Sequence, residues 1–478
     1  MSTRTLRKRS INSSIWSLLD NLCAQGLAFV VGIILARLLT PSDFGTIGVL
    51  TIFILIANVF VECGFGNALV RKKDRTQEDL STALFFNVAV SLLVYIGLYL
   101  TAPLIACFFS TPALTNLLRV LGLCVVFNSF AVVQNALFIA NLEIKKLTLI
   151  NVSVQISVGL FSIYCAYIGC GVWTLVIQQI GTSFCKALLL WIISKWKPLL
   201  KFSKQSFKYL FDFGWKLLGA NLLGTFFNEI YSFVIGKFLG AADLGYYTKS
   251  KTLSTYPNSI LTNIINRIML PIMTEIRGDD DTRVRTFYLQ MLELICFFTF
   301  PLFGALIVIA KPLILVMWTA KWLNSVFLFQ LFCAGAALAP IASLNFSLLQ
   351  LVNRTDIMLK LELIKKPLCF GLLLISIPFG LKGIVIFAVI YNFIGTIINM
   401  YPTQTILSYS IWNQIWILFK YLLLVAGPVT IALYAIGFVP GYWTQIGLGL
   451  LVIALSYGAI TMLFKVKGYK YLINIIKR

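Results

Sequence analysis

The chain has 478 residues, of which 59% are hydrophobic and only 12% are charged. A soluble protein of this length carries about a quarter charged residues, so the composition excludes the soluble globular and disordered classes. The 39 basic residues outnumber the 17 acidic ones, the formal net charge is +22, and histidine is absent. The absence of histidine excludes His-ligated metal sites and acid–base catalysis by histidine.

Long apolar runs, separated by charged residues, prolines and glycines, predict membrane-spanning helices. One span needs about 20 apolar residues, and the runs predict about fourteen of them. The predicted spans are 15–39, 44–69, 82–106, 117–140, 149–168, 171–193, 211–237, 247–273, 287–310, 325–350, 357–379, 383–401, 415–438 and 444–464. We therefore expect an all-α polytopic membrane protein with short loops and no extramembrane domain.

Most of the basic residues fall in alternate connections between these spans. The basic connections are residues 4–9, 71–75, 145–146, 195–208, 277–285, 354–360, 420 and 465–478. Because loops rich in Lys and Arg remain in the cytoplasm, we expect this face to be cytoplasmic. Both chain termini then lie inside the cell, which requires an even number of spans and agrees with the predicted number.

A ten-residue pattern occurs twice, 200 residues apart. Residues 36–45 (ARLLTPSDFG) and 236–245 (GKFLGAADLG) share the arrangement basic-x-Leu-x-x-x-Asp-x-Gly. Six helices separate the copies, so both have the same topology, which predicts two six-helix lobes related by an axis along the membrane normal. We expect lobes at 1–200 and 201–402, followed by two further helices and a cytoplasmic tail at 403–478. Asp43 and Asp243 precede helices, where a carboxylate caps free backbone N–H groups.

Polar and basic side chains recur at helical spacing in the first two helices of each repeat. Lipid-facing positions do not tolerate such stripes, which favours a water-filled cavity. The candidate cavity residues are Asn21, Gln25, Arg37, Asn58, Asn221, Asn228, Lys237, Lys249, Lys251, Asn258 and Arg267. A net positive cavity suits an anionic cargo such as phosphate or pyrophosphate. The alternatives are hydrogen bonds between helices and, for Arg37 and Lys237, extension of the side chain to the membrane surface.

Two acidic residues, Glu62 and Glu229, lie deep in the predicted spans. They could pair with basic neighbours, or take up a proton or a cation during transport. The sequence contains no P-loop, no dinucleotide-binding glycine motif and no Cys/His metal spacing. We therefore expect no catalytic residue, no metal, no cofactor and no nucleic-acid partner.

The stretch from Gly32 to Asp74 (GIILARLLTPSDFGTIGVLTIF…ECGFGNALVRKKD) resembles the opening of the Wzx-type polysaccharide exporters. The segment LGAADLGYYTKSKTL, which begins at Leu239, is similar to the corresponding part of the second lobe. These exporters are flippases of the multidrug/oligosaccharidyl-lipid/polysaccharide superfamily. The resemblance implies a MATE/MurJ-like fold in the bacterial cytoplasmic membrane.

The resemblance also implies a function, namely transfer of undecaprenyl-diphosphate-linked sugar units from the cytoplasmic to the periplasmic leaflet by alternating access. Membrane lipid would surround the lipid tail, and the polysaccharide polymerase and glycosyltransferases of the same pathway are candidate partners. A cation-coupled multidrug antiporter is one alternative, although its usually cationic cargo would favour an acidic cavity. A membrane glycan polymerase or glycosyltransferase is another, but such enzymes normally carry a large extramembrane loop.

Overall fold

A computed structural model describes residues 3–62, 64–72, 74–277 and 281–476, and these ranges contain helices and no β-strand. Lys73, Lys477 and Arg478, which the sequence assigns to the basic face, lie outside the described residues.

The described ranges contain nineteen α-helices. In chain order these are α1 (Thr3–Leu38), α2 (Pro41–Glu62), α3 (Phe65–Arg71), α4 (Gln77–Phe108), α5 (Leu114–Leu121), α6 (Leu123–Ala140), α7 (Ile144–Tyr167), α8 (Trp173–Ile193), α9 (Lys204–Phe238), α10 (Ala241–Arg277), α11 (Asp281–Val308), α12 (Ala310–Trp318), α13 (Ser325–Ala336), α14 (Ala339–Leu351), α15 (Thr355–Ser376), α16 (Gly380–Leu407), α17 (Ile411–Ile436), α18 (Tyr442–Leu463) and α19 (Lys467–Ile476).

The prediction of an all-α polytopic membrane protein is confirmed. Eleven helical segments in the described ranges are long and apolar enough to cross a membrane. One of them, Asp356–Leu407, is 52 residues long and contains two predicted spans, in α15 and α16. Helices α9 and α10 are not among the eleven, although they are 35 and 37 residues long. They carry the polar stripes, which lower their hydropathy, and with them the chain has about fourteen spans.

The predicted span 44–69 is divided into two helices, because α2 ends at Glu62 and α3 begins at Phe65. Between them Gly64 has a φ of 69°, a left-handed conformation that glycine adopts without the steric cost of a side chain. A Cβ atom at this position would lie 3.1 Å from the Cα atom of Gly214 in α9. Glycine therefore provides both the break in the span and the close approach to α9.

The chain divides into two compact units, and the first comprises Met1–Gly245. In this unit α1 packs along α7, and α2 packs against α4, α6 and α9. A buried cluster joins α3, α4, α6 and α9, and it includes Phe65, Leu84, Val133 and Leu210. Helix α9, which the sequence repeat assigns to the second lobe, thus packs within the first unit.

The second unit comprises Tyr246–Arg478. Here α11 packs against α13, α17 and α19, and α15 packs along α16. The core around α11 includes the fully buried residues Tyr288, Leu292, Leu344 and Tyr421. The boundary between the two units falls inside α10, a helix that also contains Pro257 and Pro271.

The two copies of the sequence repeat meet inside the first unit, where the beginning of α2 lies against the beginning of α10. A Cβ atom on Gly45 would lie 1.6 Å from the Ala241 carbonyl oxygen, and one on Gly245 would lie 1.9 Å from the Pro41 carbonyl oxygen. The contact is reciprocal, since each copy presents its glycine to the backbone of the other. The shared glycine is therefore required by a close backbone approach.

Asp43 and Asp243 lie in the first turns of α2 and α10, and not before these helices as the sequence predicts, because the helices begin at Pro41 and Ala241. Asp43 nevertheless takes part in capping. Its carboxylate accepts hydrogen bonds from the Thr40 backbone N–H (2.9 Å) and the Thr40 hydroxyl (2.7 Å). The Asp43 backbone N–H in turn donates to the Thr40 hydroxyl at 3.3 Å. This reciprocal arrangement satisfies N–H groups that the first turn of α2 leaves without helical partners.

Replacement of Gly45 with Ala should destabilise the first unit, because the new methyl group cannot fit beside the Ala241 carbonyl. We expect a cost of about 1–3 kcal/mol or more, measured as a lower thermal unfolding midpoint of the purified protein in detergent. Gly26→Ala in α1 is the control, since no atom lies within 4 Å of the position of its Cβ. Equal midpoints for the two variants would contradict the close contact.

Candidate functional site

Two acids and one base from three helices form a cluster in the first unit. Lys186 in α8 interacts electrostatically with Asp20 in α1 and with Glu62 at the end of α2. Asn151 in α7 donates hydrogen bonds to both carboxylate oxygens of Asp20, at 3.3 and 3.4 Å. Ions inside a membrane protein are costly unless they are paired or hydrated, and the attraction between Lys186 and the two acids lowers this cost.

A polar pocket of about 160 Å³ lies beside this cluster, at the break between α2 and α3. Its polar lining comes from Glu62, Asn67 and Asn135, together with Asn221 of α9. The Oδ1 atom of Asn135 is buried and accepts no hydrogen bond in the structure. A buried amide oxygen normally has a partner, so this pocket has an unused acceptor beside a carboxylate.

The structure therefore brings together two residues that the sequence predicts separately, Glu62 as a coupling residue and Asn221 as a cavity residue. Both line the same pocket. The pocket also includes Asn67 and Asn135, which the sequence analysis does not identify. Asn67 is a single amide in an apolar stretch, whereas Asn135 follows Gln134 and lies seven residues after Asn128, a spacing that places Asn128 and Asn135 on one face of α6.

The predicted residues of α1 and α2 have different surroundings. Asn21 is exposed, and its amide donates to the Ser17 carbonyl of its own helix at 2.9 Å. Asn58 accepts a hydrogen bond at 3.1 Å from Asn128 in α6, as expected of polar residues that join helices. Gln25 is half-buried, and Arg37 is exposed near the end of α1.

In α9, Asn228 is exposed and Glu229 is half-buried. Lys237 lies at the end of this helix, and its ammonium group donates to the Phe108 carbonyl. The same ammonium lies 4.3 Å from the centre of the Phe108 ring. Lys237 thus stabilises the last turn of α4, where a cation is favourable for the helix dipole.

The remaining predicted residues belong to α10 within the second unit. The ammonium of Lys249 lies 5.8 Å from the Trp318 ring centre, and that of Lys251 lies 5.6 Å from the Tyr247 ring centre. The Oδ1 atom of Asn258 is buried without a hydrogen-bond partner, and Arg267 is exposed. These four residues do not all lie on one face of α10, but each is a polar or basic residue in a predicted span.

Other polar residues of the second unit are part of its core. Tyr288 donates to the side-chain oxygens of Asn345 (2.5 Å) and Gln414 (3.2 Å). Lys365, which is 6% exposed, forms an ion pair with Glu362 in the same helix. The hydrogen bonds of Tyr288 join α11 to α14 and α17, whereas the Lys365–Glu362 pair lies within α15. Both sets of groups already have partners within the second unit.

Within the described part of the chain, no group of three His, Cys, Asp or Glu side chains could hold a metal ion. In the first unit the candidate residues form one pocket with a carboxylate and three amides, with an adjacent ion cluster and Arg37 on α1. The basic residues of α10 belong to the second unit and are a separate set. Amide groups suit the hydroxyl groups of sugars, and ammonium or guanidinium groups suit phosphate.

Comparisons with known proteins give consistent results. A family model described as "Polysaccharide biosynthesis protein" matches residues 34–327. The lipopolysaccharide biosynthesis protein WzxC of Escherichia coli is 24% identical over 442 residues, which are 91% of this chain and 89% of WzxC. The teichuronic acid biosynthesis protein TuaB of Bacillus subtilis is 24% identical over 356 residues, covering 74% of this chain and 73% of TuaB.

The fold is similar to that of a solved transporter. The structure of the lipid II flippase MurJ in an inward closed conformation superposes with a TM-score of 0.75, at 15% sequence identity. The superposition covers 97% of this chain and all of MurJ, 100%. The expected MATE/MurJ-like fold is thereby confirmed.

The ion cluster predicts energetic coupling between Lys186 and Glu62. Lys186→Met should lower the thermal unfolding midpoint, because it leaves two carboxylates without their shared ammonium. Glu62→Gln should restore part of this loss in the double variant, with a coupling energy of about 0.5–3 kcal/mol. The measurement is a double-mutant cycle of thermal unfolding in detergent, with Lys216→Met on α9 as the control. A coupling energy indistinguishable from zero would show that the two side chains do not interact.

Proposed function

This chain belongs to the polysaccharide biosynthesis protein family, and from that membership we propose that it is a flippase for lipid-linked oligosaccharides. It moves undecaprenyl-diphosphate-linked repeat units from the cytoplasmic to the periplasmic leaflet by alternating access. The observation that carries the proposal is the family match across residues 34–327. The WzxC relative, which is aligned over nearly the whole of both chains, supports it.

The chemistry of the candidate residues is consistent with this cargo. A diphosphate is recognised by basic groups, and Arg37, Lys249, Lys251 and Arg267 are placed in or beside predicted spans. Sugar hydroxyls both donate and accept hydrogen bonds, as do the amides of Asn67, Asn135 and Asn221 in the pocket. Binding and release of such a cargo require no covalent step, so we propose a transporter and not an enzyme.

We further propose that the two lobes defined by the sequence repeat are the parts of the protein that move during transport. The lobes are 1–200 and 201–402, and 403–478 adds two helices and a tail. The distribution of basic loops supports a bacterial cytoplasmic membrane location with both termini in the cytoplasm. The polysaccharide polymerase and glycosyltransferases of the same pathway are the proposed partners.

The function is tested in a deletion strain of the source organism. Loss of the protein should cause lipid-linked glycan to accumulate in the cytoplasmic leaflet, and the purified protein in vesicles should transfer a polyprenyl-diphosphate sugar between leaflets. Export of cationic drugs without any effect on the glycan would instead support the antiporter.

The cargo residues give a direct prediction. Lys251→Ala or Arg267→Ala should each reduce transfer of the glycan by roughly tenfold, the effect of losing one hydrogen bond to a charged group. Protein levels in the membrane should be unchanged, and Lys251→Arg should retain most of the activity because it keeps the charge. Lys311→Ala, at an exposed position in α12, is the control. Full activity in both alanine variants would exclude these two residues from cargo binding.

The acids give a second prediction, in which transport is coupled to a proton or cation. Glu62→Gln or Glu229→Gln should flatten the dependence of transfer on external pH or on sodium concentration, because an amide cannot gain or lose a proton. The measurement is the initial transfer rate in vesicles across a pH and sodium series. Glu78→Gln, an exposed acid in the first turn of α4, serves as the control. If both variants keep the wild-type dependence, neither acid couples transport.

A further inference from the structure

The linker between α8 and α9 carries an unusual concentration of positive charge. It comprises residues 194–203, has no helix, and is followed directly by the first turn of α9. Between Ser194 and Phe211 the sequence has five lysines and no acidic residue. All five lysines are exposed, and they are Lys195, Lys197, Lys201, Lys204 and Lys208.

This linker is held in place although it is not helical. The backbone N–H of Leu199 donates to the Ser81 hydroxyl at 2.8 Å, and that of Ser203 donates to the Thr82 hydroxyl at 3.0 Å. The indole N–H of the buried Trp196 donates to the side-chain oxygen of Gln77 at 2.5 Å. The first turns of α4 thus hold the linker at three points, two through its backbone N–H groups and one through the Trp196 side chain.

Because the backbone is fixed, the linker presents apolar side chains outward among its lysines. Leu200 is 94% exposed, Phe202 is 53% exposed and Leu199 is 45% exposed. The linker joins the ends of two predicted spans, and lipid-exposed irregular backbone is not tolerated inside the hydrocarbon. These side chains therefore lie at the boundary between the headgroups and the acyl chains.

Three of the other basic connections contain an acidic partner for one of their basic residues. Lys72 pairs with Asp79 at 2.6 Å, Lys146 with Glu143 at 2.8 Å, and Arg354 with Asp356 at 3.1 Å. In the described residues, no carboxylate forms a salt bridge with any of the five linker lysines. Their ammonium groups are therefore available to an anion outside the chain.

We propose that the linker 194–203 and the first turn of α9 bind anionic phospholipids of the adjacent leaflet. The lysines pair with lipid phosphates, and Leu200 and Phe202 insert at the level of the upper acyl chains. Interleaved lysines and large apolar residues are typical of segments that bind an anionic membrane surface. The occupant is the bulk anionic lipid and not the transported cargo, so the inference does not depend on the proposed function.

The test uses the full-length protein in nanodiscs of phosphatidylcholine mixed with phosphatidylglycerol. Lipid retained by the protein after extraction is measured by mass spectrometry. In the triple variant Lys195→Gln, Lys197→Gln, Lys201→Gln, the enrichment of phosphatidylglycerol should be roughly tenfold lower than in the wild-type protein. The control is Lys145→Gln, Lys146→Gln, Lys360→Gln, which removes equal charge from exposed positions of the other basic loops and should keep the enrichment. Equal enrichment in the two triple variants would overturn the proposal.

Hydrogen–deuterium exchange of wild-type protein provides a second readout that needs no variant. Backbone amides of 195–203 should exchange more slowly in phosphatidylglycerol nanodiscs than in pure phosphatidylcholine. A polyprenyl diphosphate added to phosphatidylcholine nanodiscs at the same mole fraction should not give this protection. Protection by the polyprenyl diphosphate alone would instead identify the linker as a cargo-binding surface and would overturn the proposal.

Discussion

The structure depends on one constraint, which is that a polar group in hydrocarbon must find a partner within the protein or in enclosed water. The backbone meets this constraint by forming helices. The side chains meet it in pairs and clusters, such as Lys186 with Asp20 and Glu62, or Tyr288 with Asn345 and Gln414. The polar groups that are not paired in this way, such as Asn135 in the pocket, are the ones that suggest binding of a cargo.

Much of the fold is predictable from the sequence because it follows from two simple patterns. Apolar runs of sufficient length predict the spans, and the described helices agree with them. The break at Gly64 is harder to predict from the sequence, because a glycine in an apolar run does not by itself indicate a residue with a left-handed backbone conformation. Helix α9 shows a different limit, because repeat symmetry gives its topology but not the neighbours against which it packs.

The candidate site is only partly predictable for a related reason. Periodic spacing identifies a polar face, as for Asn221 and Asn228, but it cannot detect a single amide such as Asn67 in the short helix α3. Helical spacing also cannot distinguish a polar residue that faces a cavity from one that contacts a neighbouring helix. Lys237 is in the right pattern, yet its ammonium stabilises the end of α4 through the Phe108 carbonyl. Asp43 is the opposite case, since local capping chemistry predicts that its carboxylate bonds a backbone N–H group, although it does so from within the first turn of α2.

The two prolines of α10 have a consequence for its mechanics. Proline has no N–H group, so Pro257 and Pro271 leave the carbonyl groups of Leu253 and Arg267 without their usual partners four residues later. A helix bends most easily where no such bond has to be broken. Both prolines lie in the part of α10 that belongs to the second unit. This unit therefore contains a helix with two positions at which bending breaks no backbone hydrogen bond, and at one of them the unpaired carbonyl belongs to Arg267.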